Sequence, residues 1–520
     1  MIGRMSRARV GLAITGLVLL SLALRCAFFT GYAGLDDAYY IEAAYRVSVA
    51  DIAAFDSHFA VRSGLVMPTA AAYALFGVSP LTSVLLPLAC SIGATIVTFW
   101  FGRCLFDIRT GLLAAVLLAF LPLDAIFSSE LFACVPSELF AGLAAFLLIR
   151  DHDDTRRWAA FGAGACLGIA ALMGDTALFC LLPVSYYFAF VAPRRWRAAW
   201  CLAGLAGVIA IESTMYYALT GDALLRWRTL SRAVATQGDV DVMSAGLGWS
   251  YVAQPFVRLL TEQEFGLFPV FVAAALWYHI VRRGSSLRAS SLHLWLGVWV
   301  VTVFLYTSYG TTSLWRFAPL PRLPRYLAPA VLPAIVLLAA FLMQWRPWRR
   351  HVAVALLCTT SLLCVWLDNG RHVKDSRRTL HAFVLAQPAQ HFVLDGPLMF
   401  DELVFRGFRT DSRLSVLVED ENEQAAIERK RSVYGTTPVV HDLTALKNTF
   451  VAVTRPSLLD RARAMPNAER VISFTPPDRL YYRLLRSPRV VRILGLIRDP
   501  YRVQGLQAVS SERIDVYRVR

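Results

Sequence analysis

The stretch VGLAITGLVLLSLALRCAFF, Val10 to Phe29, is followed a few residues later by Leu35-Asp36-Asp37-Ala38-Tyr39-Tyr40. The apolar run has the ~20 residues that a bilayer-crossing helix requires. It follows Met1-Ile2-Gly3-Arg4-Met5-Ser6-Arg7-Ala8-Arg9, a basic flank that stays cytoplasmic by the positive-inside rule. The two aspartates are therefore expected just outside, at the membrane surface. A carboxylate pair there is costly unless it binds or catalyses something.

Working outward, 57% of the 520 residues are hydrophobic and only 17% are charged. Mean hydropathy is +0.50. No soluble domain needs that much apolar surface, so the sequence reads as an α-helical polytopic membrane protein. The net charge of +15 would suit nucleic acid. Much of the arginine, however, sits in short clusters between apolar runs. That is topology chemistry, and no nucleic-acid partner is expected. The cysteines at 26, 90, 104, 134, 166, 180, 201, 358 and 364 all lie in or beside apolar runs, with none beyond Cys364. They read as small buried hydrophobes, with no metal spacing among them.

About eleven spans are expected, at 8–29, 80–102, 110–127, 136–150, 157–174, 176–193, 196–218, 264–282, 291–309, 326–345 and 351–367. Arginine parity supports the count. Arg103 and Arg109, then Arg150 with Arg156-Arg157, then Arg194-Arg195-Trp196-Arg197, then Arg282-Arg283 with Arg288, then Arg346 with Arg349-Arg350 all fall on the N-terminal side. The outer face then receives a first loop over 30–79, a turn near Ser128-Ser129-Glu130, a loop over 219–263 and a Pro- and Arg-rich loop over 309–325. Residues 1–367 are read as the membrane domain. Residues 368–520 are read as a soluble, extracytoplasmic α/β domain, with strands expected at 391–394, 414–418, 450–453, 470–474 and 514–519. Helices are expected there at 421–431 and 456–465. The arginine-rich segment 479–502 fits either a membrane-surface segment or a solvated face.

Four groups of residues carry possible chemistry. Asp36 and Asp37 fit a helix N-cap with a solvated neighbour, or a general base for an acceptor hydroxyl. Arg62 precedes a short apolar helix expected over 68–76, and fits interfacial snorkelling or a phosphate ligand. Asp124, Glu130 and Glu138 gather at an outer turn, where they read as helix capping or as a second acidic wall of the site. Arg316, Arg322 and Arg325 lie between Pro319, Pro321 and Pro324, where topology gives no reason for arginine. A guanidinium fork there suits a phosphate. Neither a P-loop nor a dinucleotide fingerprint is present.

These motifs, in this order, resemble the GT-C glycosyltransferases, in the branch of protein O-mannosyltransferases and the lipid-A aminoarabinose transferase. Leu35-Asp36-Asp37-Ala38-Tyr39-Tyr40 is similar to that branch's acidic pair, with Tyr40 at its tyrosine. Arg62-Ser63-Gly64 through Pro68 to Phe76-Gly77 is similar to its basic residue and amphipathic helix. Pro136-Ser137-Glu138 stands where many members have Pro-x-Asp or Ser-x-Asp. Arg325-Tyr326-Leu327-Ala328-Pro329 looks like the late Arg-Tyr-x-x-Pro element. The likeness runs from about Val10 to Phe341.

The resemblance implies a GT-C-like fold and a polyprenyl-phosphate-sugar-dependent glycosyltransferase. Such an enzyme passes one sugar to an exported lipid, glycan or protein acceptor at the outer face of a bacterial inner membrane. Asp36, Asp37 and Glu138 would serve catalysis, Arg62, Arg322 and Arg325 the donor phosphate, and Tyr40 and Tyr326 the substrates. Two carboxylates could hold a divalent metal ion, but no ligand set demands one, and metal dependence stays open. The competing class is a lipid or solute transporter or flippase, which wants ionisable groups or broken helices near mid-membrane.

Overall fold

A computed structural model describes residues 7–34, 36–153, 158–237, 249–281, 289–311, 323–369, 375–443, 446–465, 467–475 and 513–519. Contacts divide the chain into two units. The membrane unit comprises Met1–Thr30, Ile52–Pro68 and Val84–Asn369. The sheet unit comprises Gly31–Asp51, Thr69–Ser83 and Gly370–Arg520. The segment carrying Asp36 and Asp37 therefore belongs with the C-terminal residues.

Five described helical stretches are long and apolar enough to cross a bilayer: Val10–Ala27, Pro80–Leu105, Arg195–Thr220, Ser291–Tyr309 and Pro324–Met343. Shorter apolar helices accompany them, among them Ile108–Phe120 and Trp158–Met173. The protein is an integral, multi-pass membrane protein. Small residues let its helices approach closely, the usual device where lipid supplies no hydrophobic drive. A Cβ on Gly164 would strike the carbonyl of Cys201, and one on Gly204 the carbonyl of Phe161. These glycines seat Trp158–Met173 against Ala198–Thr220.

Two sequence expectations are corrected here. The span expected at 176–193 is not one α-helix. It runs as a 3-10 turn, Asp175–Cys180, a short α-helix, Leu181–Tyr186, and a π turn, Tyr187–Val191. Pro183 removes one ladder N–H at this break. The loop expected over 219–263 contains two amphipathic helices, Leu225–Gln237 and Trp249–Thr261. Their interrupted apolar pattern is too polar to read as a span.

The sheet unit is built on six strands: β1 (His391–Asp395), β2 (Leu414–Leu417), β3 (Val439–Val440), β4 (Thr449–Val453), β5 (Ala468–Phe474) and β6 (Ile514–Val519). Their order is β3-β2-β1-β4-β6-β5. The first four are parallel, with Phe392 opposite Leu414 and Phe450, while β6 runs antiparallel to β4 and β5. Val393, Leu417, Val451, Val453, Leu458 and Tyr517 form a buried core on the sheet. Strand order reverses between β1 and β4, the place where open parallel sheets commonly bind ligands. Here Asp395 fills it. Its carboxylate caps the helix Gly396–Phe405 through the N–H of Leu398, and accepts from the N–H and hydroxyl of Thr454, each at 2.7 Å.

Candidate active site

In the sheet unit a helix runs from Asp36 to Ser48. Asp37 lies in its first turn. Its side chain is fully buried, and one carboxylate oxygen accepts from the N–H of Ala33 at 2.7 Å and of Gly34 at 3.2 Å. Gly31 and Gly34 have φ of 77° and 78°, left-handed values that let the loop curl back over the helix start. The two aspartates thus differ: Asp37 organises the loop, whereas Asp36 is half-buried. Tyr40 is 1% exposed, while Tyr39 faces outward.

Neighbouring charges of this segment are occupied from the C-terminal residues of the same unit. Lys430 pairs with Glu42 at 2.8 Å, Arg46 with Asp51 at 2.8 Å, and Ser432 donates to Asp51 at 2.5 Å. Tyr32 donates its phenol to Asp401 at 2.5 Å. Burial and the Asp401 charge push the Tyr32 phenol far above its usual range, so it remains a donor.

In the membrane unit, Arg62 stands immediately before the helix Ser63–Phe76, and its carbonyl accepts from Leu65 and Val66 at 2.9 and 3.0 Å. A cation at the positive end of a helix is disfavoured, unless an anion is to be held there. Both neighbours of Arg62 are fixed. The Val61 carbonyl accepts from the Tyr216 hydroxyl at 2.9 Å, and the Ser63 hydroxyl donates to Glu212. Glu212 is held by Arg226 at 2.9 Å, and Arg226 also pairs with Asp175 at 2.7 Å and reaches the Ala171 carbonyl. A Cβ on Gly64 would lie 2.9 Å from that of Leu172, so only glycine allows this close seating.

Arg325 lies in the 3-10 segment Pro324–Ala330, half-buried, with its guanidinium 5.0 Å from the ring centre of Phe132. Tyr326 follows, also half-buried. The segment packs on the helix Cys134–Asp153, which carries Glu138. Arg322 and Arg316 lie outside the described residues.

Asp124, Glu130 and Glu138 all lie buried in the membrane unit. Asp124 is fully buried and paired with Arg25, which also donates to Ser91 at 3.0 Å and to the Ala119 carbonyl at 2.5 Å. Glu138 is sealed, and neither of its carboxylate oxygens has a hydrogen-bond partner among the described residues. A sequence reading missed Arg25, Glu212 and Arg226. The first two were visible as ionisable residues inside apolar runs, a signal that always asks for a partner. Each has one, so neither marks a transport path by default. Among the described residues no group of three His, Cys, Asp or Glu side chains could hold a metal ion.

Residues 68–217 match the family model described as dolichyl-phosphate-mannose-protein mannosyltransferase. The fold matches ArnT from Cupriavidus metallidurans in its apo state, with TM-score 0.58 and 15% identity over 89% of this chain and 96% of that one. The chain carries the GT-C fold. A second ArnT structure, bound to undecaprenyl phosphate, matches at TM-score 0.56 and 13% identity, over 97% of each chain. The archaeal oligosaccharyltransferase AglB from Archaeoglobus fulgidus, in complex with an inhibitory peptide and a dolichol-phosphate, matches at TM-score 0.50 and 11% identity, over 98% of this chain and 88% of that one. No curated protein sequence matches the chain.

Proposed function

We propose that this GT-C chain is a polyprenyl-phosphate-sugar-dependent glycosyltransferase. It moves one sugar from the lipid carrier to an exported lipid, glycan or protein acceptor. The observation that carries the reading is the family-model match over residues 68–217 within a chain of GT-C fold. Polyprenyl phosphates bound to ArnT and to AglB supply the donor chemistry by analogy.

The proposed reaction is a single in-line displacement with inversion. The acceptor hydroxyl loses its proton to Asp36 and attacks the anomeric carbon. The bond from that carbon to the carrier phosphate breaks, and its electron pair leaves on the phosphate oxygen. Arg62 and Arg325, with Arg322, take up that charge. Tyr40 and Tyr326 shape the substrate positions. Asp37 contributes through the loop it organises. Glu138 has a supporting part only: a sealed carboxyl touches no acceptor, so it acts through the neighbouring Asp124–Arg25 pair.

The same proposal places about eleven spans in a bacterial inner membrane, with the N-terminus cytoplasmic. It takes residues 1–367 as the catalytic membrane domain. Residues 368–520 form the extracytoplasmic α/β domain. A reporter active only outside the membrane, fused after Arg520, checks the orientation. The test of function is purified full-length protein incubated with a panel of undecaprenyl-phosphate-linked sugars and an envelope extract as acceptor source. Release of undecaprenyl phosphate with one sugar supports the reading, and inertness toward the whole panel overturns it.

A further inference from the structure

The loop that leads into Asp36 is tied internally by Asp37, which accepts from the N–H groups of Ala33 and Gly34. It contains Gly31 and Gly34, both at positive φ, and glycine loses more backbone freedom on ordering than any other residue. Further fixation comes from residues near position 400. The Tyr32 hydroxyl donates to one oxygen of Asp401, and Arg377 pairs with the other. Arg378 reaches the Tyr32 carbonyl at 3.2 Å. At the far end of the Asp36 helix, Tyr45 stacks on Phe408 with ring centres 4.1 Å apart, and Lys430 holds Glu42. Tyr32, Asp401 and Glu42 are each no more than 6% exposed. Buried ions are weak sources of stability, because desolvation consumes most of their attraction. What such pairs do supply is a unique geometry.

We infer that the C-terminal residues of the sheet unit clamp the acid-bearing segment, and that Asp401, acting through Tyr32, is a positioning residue for Asp36. The inference rests on the assignment of Asp36 as the general base. It gives the C-terminal region a role in presenting the base rather than in holding the acceptor.

The mildest probe is Tyr32→Phe, which removes one hydroxyl and leaves Arg377 to neutralise Asp401. In full-length protein, amide hydrogen exchange over residues 33–40 is expected to quicken in Tyr32→Phe while global thermal unfolding stays put. Unchanged exchange there overturns the clamp whatever the activity. Turnover is read as release of undecaprenyl phosphate from the panel member that the wild type consumes. Tyr32→Phe is expected to lower kcat about 10-fold with KM for donor and acceptor held, because small misplacements of a reacting group are expensive. In an Asp36→Asn background the same change is expected to cost nothing more, since residues acting through one group are not additive. An equal loss in both backgrounds, or a loss confined to acceptor KM, overturns the positioning role. Wild-type turnover in Asp36→Asn alone overturns the assignment of the base instead, and the exchange data then still judge the clamp.

Discussion

Ser63 donates its hydroxyl proton to the carboxylate of Glu212, 149 residues further along the chain. The bond fixes the residue next to Arg62, and Arg226 fixes Glu212 in turn. A buried network of this kind sets the height and direction at which Arg62 leaves its helix. Ser63→Ala is therefore expected to lower kcat/KM for the donor several-fold. Glu212→Ala leaves the buried Arg226 with Asp175 as its remaining carboxylate partner and is expected to cost about 1–3 kcal/mol of stability. Steady-state kinetics of the first variant and thermal unfolding of the second check both statements.

The acidic pair divides its labour. Asp36→Asn is expected to lower turnover by about 10²–10⁴-fold, the usual loss on removing a general base, with thermal unfolding unchanged. Asp37→Ala removes the acceptor of two backbone N–H groups and is expected to cost about 1–3 kcal/mol of stability. Measuring both variants by transfer rate and by unfolding separates the roles. Equal turnover in Asp36→Asn and wild type would remove Asp36 from the role of general base.

Arg325 is held over Phe132 at 5.0 Å, a stacking that suits guanidinium. Arg325→Ala is expected to remove about 1.5–3 kcal/mol of donor-phosphate stabilisation. Arg325→Lys restores only part of it, because ammonium makes neither the stack nor the bidentate fork. Competition by undecaprenyl phosphate, compared across the three proteins, reads this directly.

The sheet unit also has an acid-sensitive tie. Hydrogen bonding from Arg413, with further help from Arg406, holds the Asp411 carboxyl down to about 2, below its ordinary value of 3.8. The folded value is the depressed one, so this tie stabilises fully above about pH 4 and is lost as pH falls toward 2. Asp411→Asn is expected to flatten the pH dependence of unfolding in that window alone, as measured by limited pepsin digestion of the sheet unit across about pH 2–4 in the full chain and the variant.

How much of this was legible in the chain follows from which signals are local. The strand at 514–519 and those near 391, 414, 450 and 470 were readable because short runs of β-branched and aromatic residues are signals carried within a few positions. The helices Asp375–Ala386 and Gly396–Phe405 were not foreseen, since their apolar positions mix with pairs of arginine, aspartate and glutamate whose partners are distant.

Read along the chain alone, hydropathy and charge establish that apolar runs alternate with arginine clusters, that an acidic pair follows the first run, and that Arg62 and Arg325 each precede an apolar stretch. Hydropathy and charge are properties of neighbours in the chain, and they survive any folding. Only the tertiary structure decided that Asp37 is spent on its own loop, that Asp124 belongs to Arg25, and that Glu42 answers to Lys430, 388 positions away. A carboxylate looks the same in sequence whether it meets a substrate, a backbone amide or a guanidinium. Its role is set by which donor the fold brings within about 3 Å, and that donor is named nowhere in the local sequence.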